Sequence, residues 1–449
     1  MKVSTGQILA FMLGMTATMP IVGISFGAKY ISVFNITFVL NLLFLFRFWI
    51  RKESRHRITV IKEEKTFVLF LLWDVVSVLV GLFVLPQEWD ATIVSYLIKT
   101  FQFLIFVFLL NQYRGKEKLY QSFFCGFIVG CFGNVFWSIL EFLGYKILGI
   151  RLNDMIFNGY TKQLSRSTLI TTEYGVRTSG FNYDPAHLGG ILPIAFGCAM
   201  VRRNLCLFVI CMVALAFSQS STAVVGCVII FIGILVLEDV LPRKTAVKRP
   251  QIRRISLLVA YFMIIGFVFI FSKNDSINTI GELIINNVDG FLQRIKEVYL
   301  IHGQESLRGI YYKNAFNELL NRGVVSITGT GIGSSGYAYY GYSGVASQGI
   351  FDVESVYLSY LFGTGVVGLF LYCYTLFETE KNILQNSRKA GYIEKGYAVA
   401  LGSLISCGFF YHYTLTAYQV LLIIFAITGL KLNGEIKNGN INTVNYIQR

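Results

Sequence analysis

An all-α polytopic integral membrane protein is the fold class this sequence predicts, and three observations carry that expectation. Of 449 residues, 54% are hydrophobic and only 14% are charged, too little charge to cover a soluble surface of that size. Apolar runs long enough to cross roughly 30 Å of hydrocarbon recur along the whole chain. Basic residues gather in alternate loops, the bias that sets orientation in a bilayer.

The apolar runs fall near 7–27, 31–50, 67–86, 93–112, 119–140, 187–201, 205–218, 220–237, 255–271, 353–377, 394–410 and 413–430, so about twelve transmembrane helices are expected. Residues 7–27 lack a small-residue cleavage site and read as a retained first helix. With the N-terminus inside, the segments 51–66, 113–118, 202–204, 239–254, 378–395 and the tail from 431 hold 24 of the 39 Lys and Arg residues. The loop "QEWDAT" at 87–92, on the other side, holds none. Both termini are therefore expected in the cytoplasm. The net charge of +14 is a topology signal, and without a basic-aromatic module it does not point to nucleic acid. All eight cysteines lie in apolar runs, which fits small buried hydrophobes and gives neither a disulfide framework nor metal-ligand spacing.

The chain reads as one membrane domain over 1–449, with a cytoplasmic tail at 431–449 and two large extracytoplasmic loops at about 150–186 and 272–352. Long loops on a rigid scaffold are where binding and chemistry concentrate. The first loop ends in "RTSGFNYDPAHLGG" (177–190), which sets Arg177, Asp184 and His187 at the mouth of an apolar run. Ionisable groups there are expensive to desolvate. In the second loop, 280–300 has the spacing of an amphipathic helix and 306–321 reads as another, with Arg308 near its start. "GTGIGSSGYAYYGYSG" (329–344) carries too many glycines for a helix. Its 331–336 stretch matches GxGxxG, yet lacks the strand, helix and cytosolic access that a dinucleotide site needs. Asp352 and Glu354 stand where the chain re-enters lipid. Deeper in the membrane, Asp74 and Lys99 lie on consecutive helices and are expected to pair or to line a groove.

These segments carry a family resemblance. "RTSGFNYDPAHLGGIL" is similar to the Arg–x–x–Gly–Phe–x–x–(Asp/Asn)–Pro signature of the O-antigen polymerase and O-antigen ligase membrane proteins. "ALAFSQSSTAVVGCVIIF" (214–231) resembles that family's apolar segment interrupted by hydroxylated residues. "SLRGIYYKNAF", "GTGIGSSG" and "ESVYLSYLFGTGVVGLFL" resemble its Arg helix, glycine turn and re-entry segment, in the same order, over about 175–375. Two departures matter. The family often has Ser-Arg where this chain reads Ser220-Ser221, and the ligase branch usually shows His-Asn where this chain has Glu354-Ser355. The second leans towards the polymerase branch.

The resemblance implies a GT-C-like architecture in a bacterial plasma membrane, in which helices carry a polysaccharide polymerase for capsule, exopolysaccharide or O-antigen. It implies transfer of a glycan from one undecaprenyl-pyrophosphate carrier onto a sugar hydroxyl of another lipid-linked unit, with membrane lipid, a flippase and chain-length regulator proteins as partners. Cations are needed for the leaving diphosphate, and Arg suits because it is always charged and binds phosphate through a fork. Arg177 and Arg308 are the candidates, with Lys162, Arg166 and Lys313 behind them. Glu354, Asp184 and His187 are the candidate bases for the acceptor hydroxyl. Tyr337, Tyr339 and Tyr340 could stack on sugar faces. No cofactor and no metal are expected, since the first external loop, "AKY" at 28–30, is too short for an Asp-x-Asp site.

Blander roles fit the same residues: a headgroup anchor for Arg177, a helix-surface charge for Arg308, helix caps for Asp184 and Glu354, a buried hydrogen-bonding role for His187, and an interfacial aromatic belt for the tyrosines. A ligase and a transporter of lipid-linked glycans are the alternative functions, although the halves show no internal repeat of the kind carriers favour.

Overall fold

The computed structural model describes residues 3–26, 29–51, 60–85, 90–157, 168–172, 175–240, 286, 289–290, 293, 321, 323–334, 355–387, 392–409 and 416–437. The described residues are mostly α-helical. Ten of the twelve apolar runs fall on helices, the run at 7–27 is helical only as far as Ala17, and the run at 255–271 lies outside the described residues. Among the described residues, five helices are long and apolar enough to cross a membrane. The chain is a multi-pass membrane protein.

Helix α1 (Thr5–Ala17) opens on a capping box, in which Ser4 and Gln7 satisfy each other's backbone N–H. It is shorter than the predicted 7–27 run. Pro20 removes a backbone donor and disfavours helix just before it, and the chain turns into a hairpin of β1 (Gly23–Phe26) and β2 (Lys29–Ser32). Helices α2 (Val33–Ile50), α3 (Lys62–Val84) and α4 (Asp90–Gln112) follow, then α5 (Lys116–Leu148), whose 33 residues exceed the ~20 that span a bilayer. Left-handed Gly149 ends α5 by returning its N–H to Tyr145 O. Glycines let α1 and α5 touch backbone to backbone: a Cβ on Gly14 or Gly126 would overlap the carbonyl of Phe123 or Phe11.

A short helix α6 (Leu152–Ile156) and a hairpin of β3 (Ile170–Thr172) and β4 (Gly175–Arg177) lead to three consecutive helices, α7 (Pro185–Arg202), α8 (Leu205–Ser218) and α9 (Ser221–Val240). Asn286, Asp289, Gly290 and Gln293 are helical, as the amphipathic reading of 280–300 expects; of the 306–321 helix, all but Asn321 lies outside the described residues. After α10 (Val325–Thr328) and a 3-10 turn (Ile332–Ser334) come α11 (Val356–Ser387), α12 (Tyr392–Cys407) and α13 (Ala417–Lys437). Helix α13 is buried along most of its described length, with Phe425 stacked on Phe123 of α5 at 4.0 Å. Where α3 begins and α11 nears its end, buried polar groups tie helices together. Lys431 pairs with Glu64 and donates to Asn111 Oδ1 at 2.6 Å, Asn111 donates to Glu64, and Asn382 donates to Glu63.

Residues 329–334, the described part of the glycine segment, meet protein backbone well inside the bundle. Thr330 N and Gly331 N both donate to Gly363 O at 3.0 and 2.6 Å, and Ile332 N donates to Asp74 Oδ1 at 3.1 Å. Ser77 Oγ donates to Thr328 O. Asp74 precedes the end of α3 by ten residues, so the turn reaches about 15 Å along that helix. Glycine is required on both sides. A Cβ on Gly81 would overlap Thr330 O, and Gly329, Gly331 and Gly365 all have positive φ (72°, 94° and 67°). Gly365 interrupts α11, and Trp73 Nε1 takes the carbonyl of Thr364 at 2.9 Å. Non-helical backbone at this depth survives because protein groups saturate it.

Candidate active site

The segment from Thr178 to Asn182 is held by one face of α5. Asn134, Ser138 and Glu141 lie at i, i+4 and i+7, which aligns them along the helix. Glu141 Oε2 accepts the backbone N–H groups of Ser179 and Gly180 at 3.0 and 3.1 Å. Ser138 Oγ meets Thr178 Oγ1 at 2.6 Å. Asn134 Oδ1 accepts from Phe181 N at 2.9 Å and Asn182 Nδ2 at 2.8 Å, while its amide nitrogen donates to Thr18 O and Gly130 O. Asn153, just past the end of α5, donates to Glu141 Oε1 at 3.0 Å and to Gly180 O at 2.9 Å, and accepts Trp137 Nε1 at 2.7 Å. Glu141, Asn134 and Asn153 are all buried.

This arrangement gives the Gly-Phe of the signature a physical reason. Gly180 turns with φ 62°, and a Cβ there would stand 3.0 Å from Asn134 O. Phe181 then stacks on Trp137 at 4.8 Å. Thr178 N donates to Phe217 O at 3.1 Å, which sets the segment beside the end of α8. There "SQSST" breaks the helix at left-handed Gln219 (φ 45°), and Ser220 sits so close to Gly189 that a Cβ would overlap its hydroxyl.

Arg177 ends β4, paired in register with Ile170, and is half-buried. Asp184 is the N-cap of α7. Its Oδ1 accepts Ala186 N at 2.7 Å, its φ and ψ are extended, and Pro185 occupies the first helical position. His187 N donates to Asp184 O at 3.0 Å, and its ring meets Tyr183 edge-on at 4.6 Å. Burial pushes the Tyr183 phenol up to about 12, so it stays a neutral hydroxyl. Three of the predicted site residues, Arg177, Asp184 and His187, thus share one anchored segment at the end of the bundle where α5 stops and α7 starts.

Arg308, Glu354, Tyr337, Tyr339 and Tyr340, with Lys162, Arg166 and Lys313, lie outside the described residues. The start of α11 just after Glu354 is fixed, because Ser355 Oγ and Val356 N both donate to Gly408 O at 3.2 and 2.9 Å. Asp74 and Lys99 do not form the expected pair. Asp74 takes Thr100 Oγ1 at 2.7 Å and the Ile332 N–H, and Lys99 lies over the Tyr96 ring at 4.5 Å. A carboxylate satisfied by two short neutral donors needs no lysine. Among the described residues, no three His, Cys, Asp or Glu side chains gather as a metal site would require.

Asn134, Glu141 and Asn153 are not among the site residues the sequence suggested. The available signal was an Asn–x3–Ser–x2–Glu spacing in and at the end of an otherwise apolar run, which places three polar groups on one helical face. No curated protein matches the chain. Residues 205–373, from the start of α8 through the glycine turn into α11, match the family model described as O-Antigen ligase. Over that stretch the chain is similar to the O-Antigen ligase family, whose model covers these residues and not the rest of the chain.

Proposed function

We propose that this protein polymerises oligosaccharide repeat units carried on undecaprenyl diphosphate, at the outer face of the plasma membrane and without a metal. The observation that carries the reading is the docking of the Arg177 segment onto the matched region, through Thr178 N to Phe217 O at 3.1 Å. In the reaction, the bond from the donor's anomeric carbon to the diphosphate oxygen breaks and its electron pair leaves with the diphosphate. A new bond joins that carbon to an acceptor hydroxyl oxygen, whose proton passes to a base. Arg177 and Arg308 hold the developing diphosphate charge, which is the part of such a transfer that fixed cations assist most. Asp184 is occupied as a helix cap, so His187 and Glu354 are the better candidates for the base.

The family description favours a second reading, an O-antigen ligase that passes the glycan to a different lipid acceptor. Glu354-Ser355, in place of the His-Asn usual in that branch, supports the polymerase. The test is the length of surface polysaccharide in cells whose only copy carries Arg177→Ala or Arg308→Ala. Both variants should reach the membrane in normal amounts and leave single repeat units on lipid. Long polymer from either stable variant would refute the assignment.

A further inference from the structure

We infer that Glu141 is a positioning residue for Arg177, acting through the backbone of Ser179 and Gly180; the inference rests on the transferase reading above. The geometry is specific. A buried carboxylate in an apolar helix is costly unless its lone pairs are filled, and here they are filled by the two peptide N–H groups that follow Arg177–Thr178 and by Asn153 Nδ2. A hydrophobic side chain would pack in the same space without that cost. What it could not do is hold two consecutive N–H groups of a turn whose Gly180 is left-handed.

The neighbours extend the same grip. Ser138 holds Thr178, Asn134 holds Phe181 and Asn182, and every residue between Arg177 and Tyr183 therefore has a polar tether to α5. The tethered stretch lies between Arg177 and the α7 cap at Asp184. Its shape sets how far the guanidinium stands from the start of α7. A misplacement of about 1 Å at a charge-stabilising group can lower a rate by about a hundredfold.

The network also has a direction that can be exploited. Asn153 must present its amide nitrogen to Glu141, because its oxygen accepts the Trp137 indole. In Glu141→Gln, one amide oxygen could still take the two N–H groups, but the new NH2 would face the NH2 of Asn153. Adding Asn153→Asp turns that clash into a donor–acceptor pair and keeps an acceptor for Trp137, at the loss of the donor to Gly180 O.

The experiment uses the full-length protein in detergent, with lipid-linked repeat units purified from cells lacking this chain. Hydrogen exchange of peptides covering 178–182 is read beside kcat and KM, in Glu141→Gln, in Glu141→Gln/Asn153→Asp and in Arg177→Ala. Glu141→Gln should exchange faster over 178–182 and lose tenfold or more in kcat, with KM changed less than threefold. The double variant should recover part of both, short of the parent because Gly180 O has lost the Asn153 donor, even if the single variant is too poorly folded to purify. Faster exchange with unaltered kcat would overturn the positioning role while leaving the transferase reading intact. So would a double variant that folds and regains slow exchange but not activity. Full activity in Arg177→Ala would instead remove the cation assignment, and with it the reason to position that residue.

Discussion

Lys431→Met is expected to destabilise the protein by about 3–5 kcal/mol, the usual loss when one member of a buried ion pair is removed. Glu64 and Lys431 are both buried, exposed by only 4% and 3%, and they join α3 to α13. Without the ammonium, Glu64 keeps its bond from Asn111 but holds an uncompensated charge in a dry site. Neutralising both partners, Glu64→Gln with Lys431→Met, removes that charge and should restore most of the loss. The measurement is denaturant-induced unfolding of the purified variants in detergent micelles. A single variant as stable as the parent would mean that the pair is not buried in the working protein.

Asp74→Ala should be nearly as damaging, and Asp74→Asn should not. Alanine strands the Ile332 N–H and the Thr100 hydroxyl about 15 Å inside a helix bundle, at about 1–3 kcal/mol for each unsatisfied group. Asparagine keeps an oxygen for Ile332 N and offers an NH2 that Thr100 Oγ1 can accept. The contrast separates a hydrogen-bonding anchor from a charge acting on a substrate. Thermal unfolding should place Asp74→Asn close to the parent and Asp74→Ala well below it. Equal losses in the two variants would show that the negative charge itself matters.

Much of the bundle was legible because hydrophobic length is written directly in a sequence. The run at 205–218 became α8 with the same limits, and the cap at Asp184 followed from Asp before Pro. Depth was not legible. The glycine segment reads as loop by composition, and only the pairing of Thr330, Gly331 and Ile332 with Gly363 and Asp74 shows that these residues enter the bundle. Similarly, Asp74 and Lys99 looked like partners because opposite charges in adjacent helices usually are. Neutral donors from Thr100 and a distant backbone outcompeted the lysine, and no local pattern announces a contact 258 residues away. The helix at 7–27 was overextended because hydropathy ignores what Pro20 does to the backbone. The polar face of α5 is the most readable feature outside the expected site: Glu141 stands one residue beyond the apolar run at 119–140, where a terminal charge is ordinary.

The most direct test of the proposed activity is a reconstitution. The purified protein in lipid vesicles is supplied only with single repeat units on undecaprenyl diphosphate, and the products are separated by size. Polymerisation predicts a ladder of lengthening lipid-linked glycans with one free undecaprenyl diphosphate released for each bond formed. Unconsumed single units in that mixture, with transfer appearing only once a different lipid acceptor is added, would contradict it.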